Sequence, residues 1–268
     1  MRGVRYGKSW EHLRGLWEAA FRLLFVSVRG CHANGLKLVP SLGVLLYHLS
    51  NFEASSGAGG EALPKYLEQL QLLILEMYRD NPLALATVNQ EQFDQFDELL
   101  CTQTQLTPVY LRFLHVMACT GMGGVVANQK LLCALIMSPK SATWAPETVL
   151  RGESVLVCMP SPGVAGDMEW TSIQELRQGD PVIAEYYTEY VHLLALVASG
   201  RTRTVVLCLE RLMKEGVVSW EVSMRCLLDT ELPPRVRAAY CDLITNAFVD
   251  AAPQEDRCKP DHLQVRPD

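Results

Sequence analysis

Residues 180–200 read DPVIAEYYTEYVHLLALVASG, 201–216 read RTRTVVLCLERLMKEG, and 217–250 read VVSWEVSMRCLLDTELPPRVRAAYCDLITNAFVD. This stretch decides the fold. Ile183, Tyr187, Tyr190, Leu194 and Val197 recur at steps of three and four, the period of one helix face. Asp180 followed by Pro181 is a helix start, because the carboxylate can accept an orphan amide and proline lacks one to lose. Gly200 and Gly216 stop two helices, and Pro233-Pro234 opens the next. The spacing predicts four short antiparallel helices with tight corners. By itself that is a scaffold without chemistry.

Working outward, residues 9–29 read as an amphipathic helix with Trp10, Leu13, Trp17, Phe21, Leu24 and Val28 on one side. Its apolar face is expected in the core, although its arginines would also suit a membrane surface. A second helix runs near 40–50 with its boundary close to Val39, since Pro40 is tolerated only at a helix start. Residues 53–61 (EASSGAGGE) have the composition of a flexible loop. Helices resume over 62–79, with Leu67, Leu70, Ile74 and Met77 on a face, and over 90–101 behind Asn89 as N-cap. Thr107-Pro108 begins another, faced by Val109, Phe113, Val116 and Met117. Residues 120–124 (TGMGG) are its corner and 127–137 its partner.

From 138 to 179 the helical period breaks. Pro139, Pro146, Pro160, Pro162, Gly163 and Gly166 disfavour helix, while SVLVCM (154–159) has strand character. A small hairpin of Val155–Met159 with Met168–Thr171 is expected there. Residues 251–268 carry three prolines and no apolar period, the composition of a disordered tail. The expected organisation is a helical block over 9–137, an irregular insertion over 138–179, a second block over 180–250, and the tail. The fold class is all-α, an armadillo-like helical-repeat solenoid with a short irregular or small β excursion.

Composition narrows the function classes. Of 268 residues, 49% are apolar and 20% charged, ordinary globular usage with apolar surface enough for a sizeable core. The net charge of −6 disfavours a nucleic-acid binder. It is uneven: residues 1–37 carry +5, which leaves −11 on the remainder. The nine cysteines show no closely spaced pairs, so no metal site is expected, and most sit in apolar helical runs as reduced core thiols. No segment reaches the ~18 uninterrupted apolar residues of a membrane span.

Candidate chemistry is thin. Gly121, Gly123 and Gly124 lack the preceding strand and the Lys-Ser/Thr of a phosphate loop, and read as a tight corner. His115 and His192 lie on apolar helices with no nucleophile pattern beside them. Ser154 and Ser161 lack a nucleophile-elbow setting. Asp94, Asp97 and Glu98 space like a solvated face, and Tyr186, Tyr187 and Tyr190 like packing residues. No catalytic residue, cofactor site or enzyme is expected.

Two passages resemble the RIH domain, the helical homology region shared by inositol trisphosphate and ryanodine receptors. In 108–142 the likeness rests on Arg112, Phe113, Leu114, Cys119, Asn128, Gln129, Leu131, Leu132 and Cys133. In the stretch quoted first, Tyr186-Tyr187, Leu193, Arg225-Cys226, Leu232-Pro233, Arg237-Ala238, Cys241 and Val249-Asp250 are similar to the inositol trisphosphate receptor version, as are Pro253-Gln254-Glu255 beyond it. Leu70–Leu100 follows that receptor more loosely. The resemblance implies a cytosolic part of a tetrameric calcium-release channel of the endoplasmic reticulum, whose armadillo-like helices pass ligand-induced movement toward a distant pore. Its partners would be other domains or subunits of that channel. The family's helical ligand half holds a Tyr-Arg-Lys triplet before an asparagine; here Cys31, His32 and Ala33 stand before Asn34. A polyanion site needs fixed cations, so this chain alone is not expected to bind inositol trisphosphate. The alternative is a free-standing armadillo-like adaptor in the cytoplasm with a protein partner.

Overall fold

The computed structural model describes residues 11–55, 65–121, 123–161 and 169–250. Trp10, residues 56–61 of the expected loop, Met168 of the expected hairpin and the tail 251–268 lie outside them. The fold is all-α with a small β excursion.

The first helices are α1 (Glu11–Val28), α2 (His32–Leu38), α3 (Leu42–Ser55) and α4 (Lys65–Tyr78). Helix α1 lies along α4 and buries Phe21 and Val28, with Trp17 edge-on to His48 at 4.6 Å. Two details differ from expectation. Residues 32–38 form a helix, entered through Gly30 at φ +69°, and a 3-10 turn at Val39–Ser41 takes Pro40 before α3 begins. Helix α3 also runs through Glu53 to Ser55, where loop composition was read.

Next come α5 (Pro82–Leu85), α6 (Gln90–Thr102), α7 (Pro108–Ala118) and α8 (Val126–Ile136). Asn89 caps α6 in a reciprocal box with Gln92. Met122 of the expected corner lies outside the described residues; on either side of it the chain pairs as a two-rung ribbon, Cys119 opposite Gly124 and Thr120 opposite Gly123.

Buried amides stitch these helices together. Asn81 accepts from Ala84 N at 3.2 Å and donates to Met77 O at 2.9 Å and His32 O at 3.0 Å, joining α2, α4 and α5. Asn128 donates to Leu85 O at 3.0 Å and Met117 O at 2.8 Å. Gln129 donates to Leu196 O and Ser199 Oγ, both at 3.2 Å. Gly124 is what lets Gln129 in: a Cβ there would stand 2.1 Å from Gln129 Nε2. Gly124→Ala is therefore expected to push that amide off its two acceptors and cost ~1–2 kcal/mol, read as a lower urea midpoint with unchanged slope. An unchanged midpoint would show that Gln129 is not held there.

The segment 138–179 is more ordered than its prolines suggest. A 3-10 turn (Pro139–Thr143) leads to Trp144, which is fully buried. Strands β3 (Glu147–Arg151), β4 (Ser154–Cys158) and β5 (Trp170–Ser172) form an antiparallel meander, with Val149 opposite Leu156 and Cys158 opposite Trp170. The expected β4–β5 pairing is present. Strand β3 was not anticipated, because ETVLR shows no clean alternation. Helix α9 (Ile173–Gly179) also falls inside this segment, nucleated by a capping box between Ser172 and Glu175. The helical run thus resumes before Asp180.

The C-terminal helices are α10 (Pro181–Ala198), α11 (Arg203–Lys214), α12 (Trp220–Leu228) and α13 (Pro234–Ile244), closed by a π turn at Thr245–Val249. Asp180 Oδ1 accepts from Val182 N at 2.8 Å, and Gly216 ends α11 at φ +79°. Tyr187, Tyr190, Leu194 and Val197 are buried as the stripe predicts, while Ile183 is half-buried. The stripe understates α10. Tyr186, Val191, Leu193, Ala195 and Ala198 are buried as well, because α10 lies chiefly against α7 and α13 rather than its chain neighbour α11.

Candidate functional site

The three positions compared with the family's ligand triplet sit at the α1–α2 corner. Cys31 is the N-cap residue of α2 and offers no side-chain cap; His32 and Ala33 are exposed on its first turn. His32 is used through its carbonyl, which accepts from Asn81, and Asn34 donates to Ser27 O at 2.8 Å. These side chains bring no fixed cation to the corner.

The described residues instead gather charge where α7, α10 and α13 meet. Glu185, Glu189 and His192 recur at steps of four and three along the otherwise apolar α10, so they share one face. Arg112 reaches them from α7: its Nε donates to Glu189 Oε1 at 3.0 Å and its terminal nitrogen to Glu185. Arg235 reaches them from α13, donating to Glu185 Oε1 at 3.2 Å and to Glu189. Two guanidiniums and two carboxylates make a neutral four-membered network joining the first and last blocks of helix. Further along the same seam His192 Nδ1 lies 4.0 Å from Asp242, and His115 feels the charges of His192 and Glu189.

Both histidines titrate below their ordinary value. Burial is the main cause for each; the His192 charge adds to it at His115, and Glu189 opposes it at both. The folded state therefore favours neutral imidazoles. Their contribution to stability is full above the unfolded value of 6.5 and is lost as pH falls through the lower folded values. Stability should decline below pH ~6.5, and His115→Gln should flatten that decline. Urea midpoints measured across pH check this; identical profiles for the variant and the parent would refute it.

Other candidates hold less. Burial pushes the Cys119 thiol up to about 11 and Cys226 to about 12, so both stay protonated at neutral pH. Ser154 lies in an open cleft of about 510 Å³ between β4, β5 and α12. There Arg225 is engaged by the Glu153 carbonyl at 3.0 Å, and Gln174 by Asp229 at 2.9 Å. Asp97 is no surface carboxylate: it is buried and accepts from Trp144 Nε1 at 3.3 Å. Among the described residues no cluster of three or more His, Cys, Asp or Glu is arranged to hold a metal ion, and no helix is long and apolar enough to cross a membrane.

Sequence reasoning named Arg112 only as a point of resemblance, and missed Glu185, Glu189 and Arg235. The legible signal was two acids at i, i+4 on a helix whose other faces are apolar; their partners were unreadable because they lie 73 and 46 residues away along the chain. No protein-family model matches the chain.

Proposed function

We propose that this chain is a cytosolic helical regulatory and scaffold module of an inositol trisphosphate-gated calcium-release channel at the endoplasmic reticulum, passing on conformational change and contributing no pore. One observation carries most weight. The two passages that resemble the RIH domain, 108–142 and 180–250, meet where α7 packs on α10, and Arg112 crosses between them to Glu185 and Glu189, which Arg235 also holds from α13. Packed helices joined by directional charged contacts move together, which is what a transmitting element needs. In this reading the helices stack in armadillo-like fashion, other domains or subunits of a tetrameric channel are the partners, and the work is rigid-body displacement rather than catalysis.

The exposed outer side of α1 favours a second reading, a free-standing adaptor. Leu16, Leu23 and Val26 are all more than 60% exposed there, an apolar stripe suited to covering by another protein. Sequencing the full transcript separates the two: a downstream multi-span membrane segment supports the channel module, and a stop codon after Asp268 supports the adaptor. For either, titration calorimetry with inositol trisphosphate at low salt is expected to give no saturable heat, because Cys31, His32 and Ala33 replace the cations such a ligand requires. Stoichiometric micromolar binding would overturn that expectation. Weak heats that vanish with added salt would reflect the +5 charge of residues 1–37.

A further inference from the structure

Ser223 lies on the inner side of α12, 1% exposed, and its hydroxyl has no hydrogen-bond partner, not even a carbonyl of its own helix. Buried hydroxyls are rarely left so, because the lost hydration is not replaced. Ser223 lines a small cavity of about 10 Å³ with Thr148, Tyr187, Tyr190, Ser219 and Tyr240. That volume is close to one water-sized probe, the least that holds a water molecule. The surroundings are polar enough to keep it: Thr148 Oγ1 lies 3.1 Å from the Tyr187 hydroxyl, which in turn bonds the Tyr240 hydroxyl. No charged side chain lines the cavity, so a metal cation would find no balancing carboxylate, and any organic ligand exceeds the space.

The geometry points to one resident water molecule at this joint, accepting a hydrogen bond from the Ser223 hydroxyl and donating to hydroxyl oxygens of the Thr148–Tyr187–Tyr240 group. Thr148 is on β3, Tyr187 on α10, Ser223 on α12 and Tyr240 on α13. The water therefore completes a polar joint where the sheet meets three helices, and makes the meander part of the C-terminal packing.

The sign of a single substitution separates the wet joint from a dry one. In a dry cavity Ser223→Ala removes an unsatisfied hydroxyl, and the melting temperature rises. With the water present it removes a satisfied bond, and the melting temperature falls by about 2–4 °C. A crystal structure of the whole chain at atomic resolution gives the second reading, in which a water is expected within hydrogen-bond distance of Ser223 Oγ and at least one of the three other hydroxyls. Either an empty cavity in that structure or a higher melting temperature for the variant overturns the proposal.

Discussion

Trp144→Ala is expected to lower the free energy of unfolding by ~3–5 kcal/mol, the range for deleting a fully buried large aromatic. Trp144 is 0% exposed and stands edge-on to Tyr190 with ring centroids 6.4 Å apart. It is also tied at both ends. Its Nε1 donates to Asp97 on α6, and its carbonyl accepts from the Tyr186 hydroxyl on α10 at 2.8 Å. Truncation thus opens a cavity between α6 and α10 and leaves the Asp97 carboxylate short of a donor. Trp144→Phe separates the two effects: it keeps most of the ring and loses the N–H, so ~1–2 kcal/mol is expected. Urea unfolding followed by far-ultraviolet circular dichroism reads both variants. A cost under ~1 kcal/mol for the alanine variant would show that 138–179 is a dispensable surface insertion.

Glu189→Ala should be the most damaging single change in the charged network, at ~2–4 kcal/mol. Its carboxylate is 8% exposed and accepts from both arginines, whose side chains are 33% and 56% exposed. Removing it leaves Arg112 and Arg235 facing each other with Glu185 alone between them. Removing Arg235, the more exposed partner, should cost ~1 kcal/mol or less, because water already screens it. A double-mutant cycle between Arg112 and Glu189 isolates the pair. A coupling energy near zero would mean that this pair does not brace α7 against α10, and would remove the main support for a transmitting role.

Much of the fold is legible without coordinates, because helix ends are local events. Asp180-Pro181, Asn89, Thr107-Pro108 and Gly216 each satisfy or release backbone groups within a few residues, and each marks a boundary where the structure places one. Where signals were weak or mixed, the reading failed: α2 has no side-chain cap, β3 lacks alternation, and α9 follows a run rich in proline and glycine. The candidate site was less legible. That Cys31, His32 and Ala33 carry no fixed cation is legible from residue type alone, whereas the partners of Glu185 and Glu189 are not.

By itself, then, the sequence determined that the chain is helical, where most helices begin and end, and which sides are apolar. Tertiary structure alone decided which helices touch. Arg112, Glu189 and Arg235 become one network only because α10 settles between α7 and α13. Asp97 and Trp144 find each other across 47 residues, and Ser223 shares its small cavity with hydroxyls from three other elements. Capping and periodicity act over one or two turns and leave a record in adjacent residues; packing joins positions far apart in the chain, and adjacent residues carry no record of it.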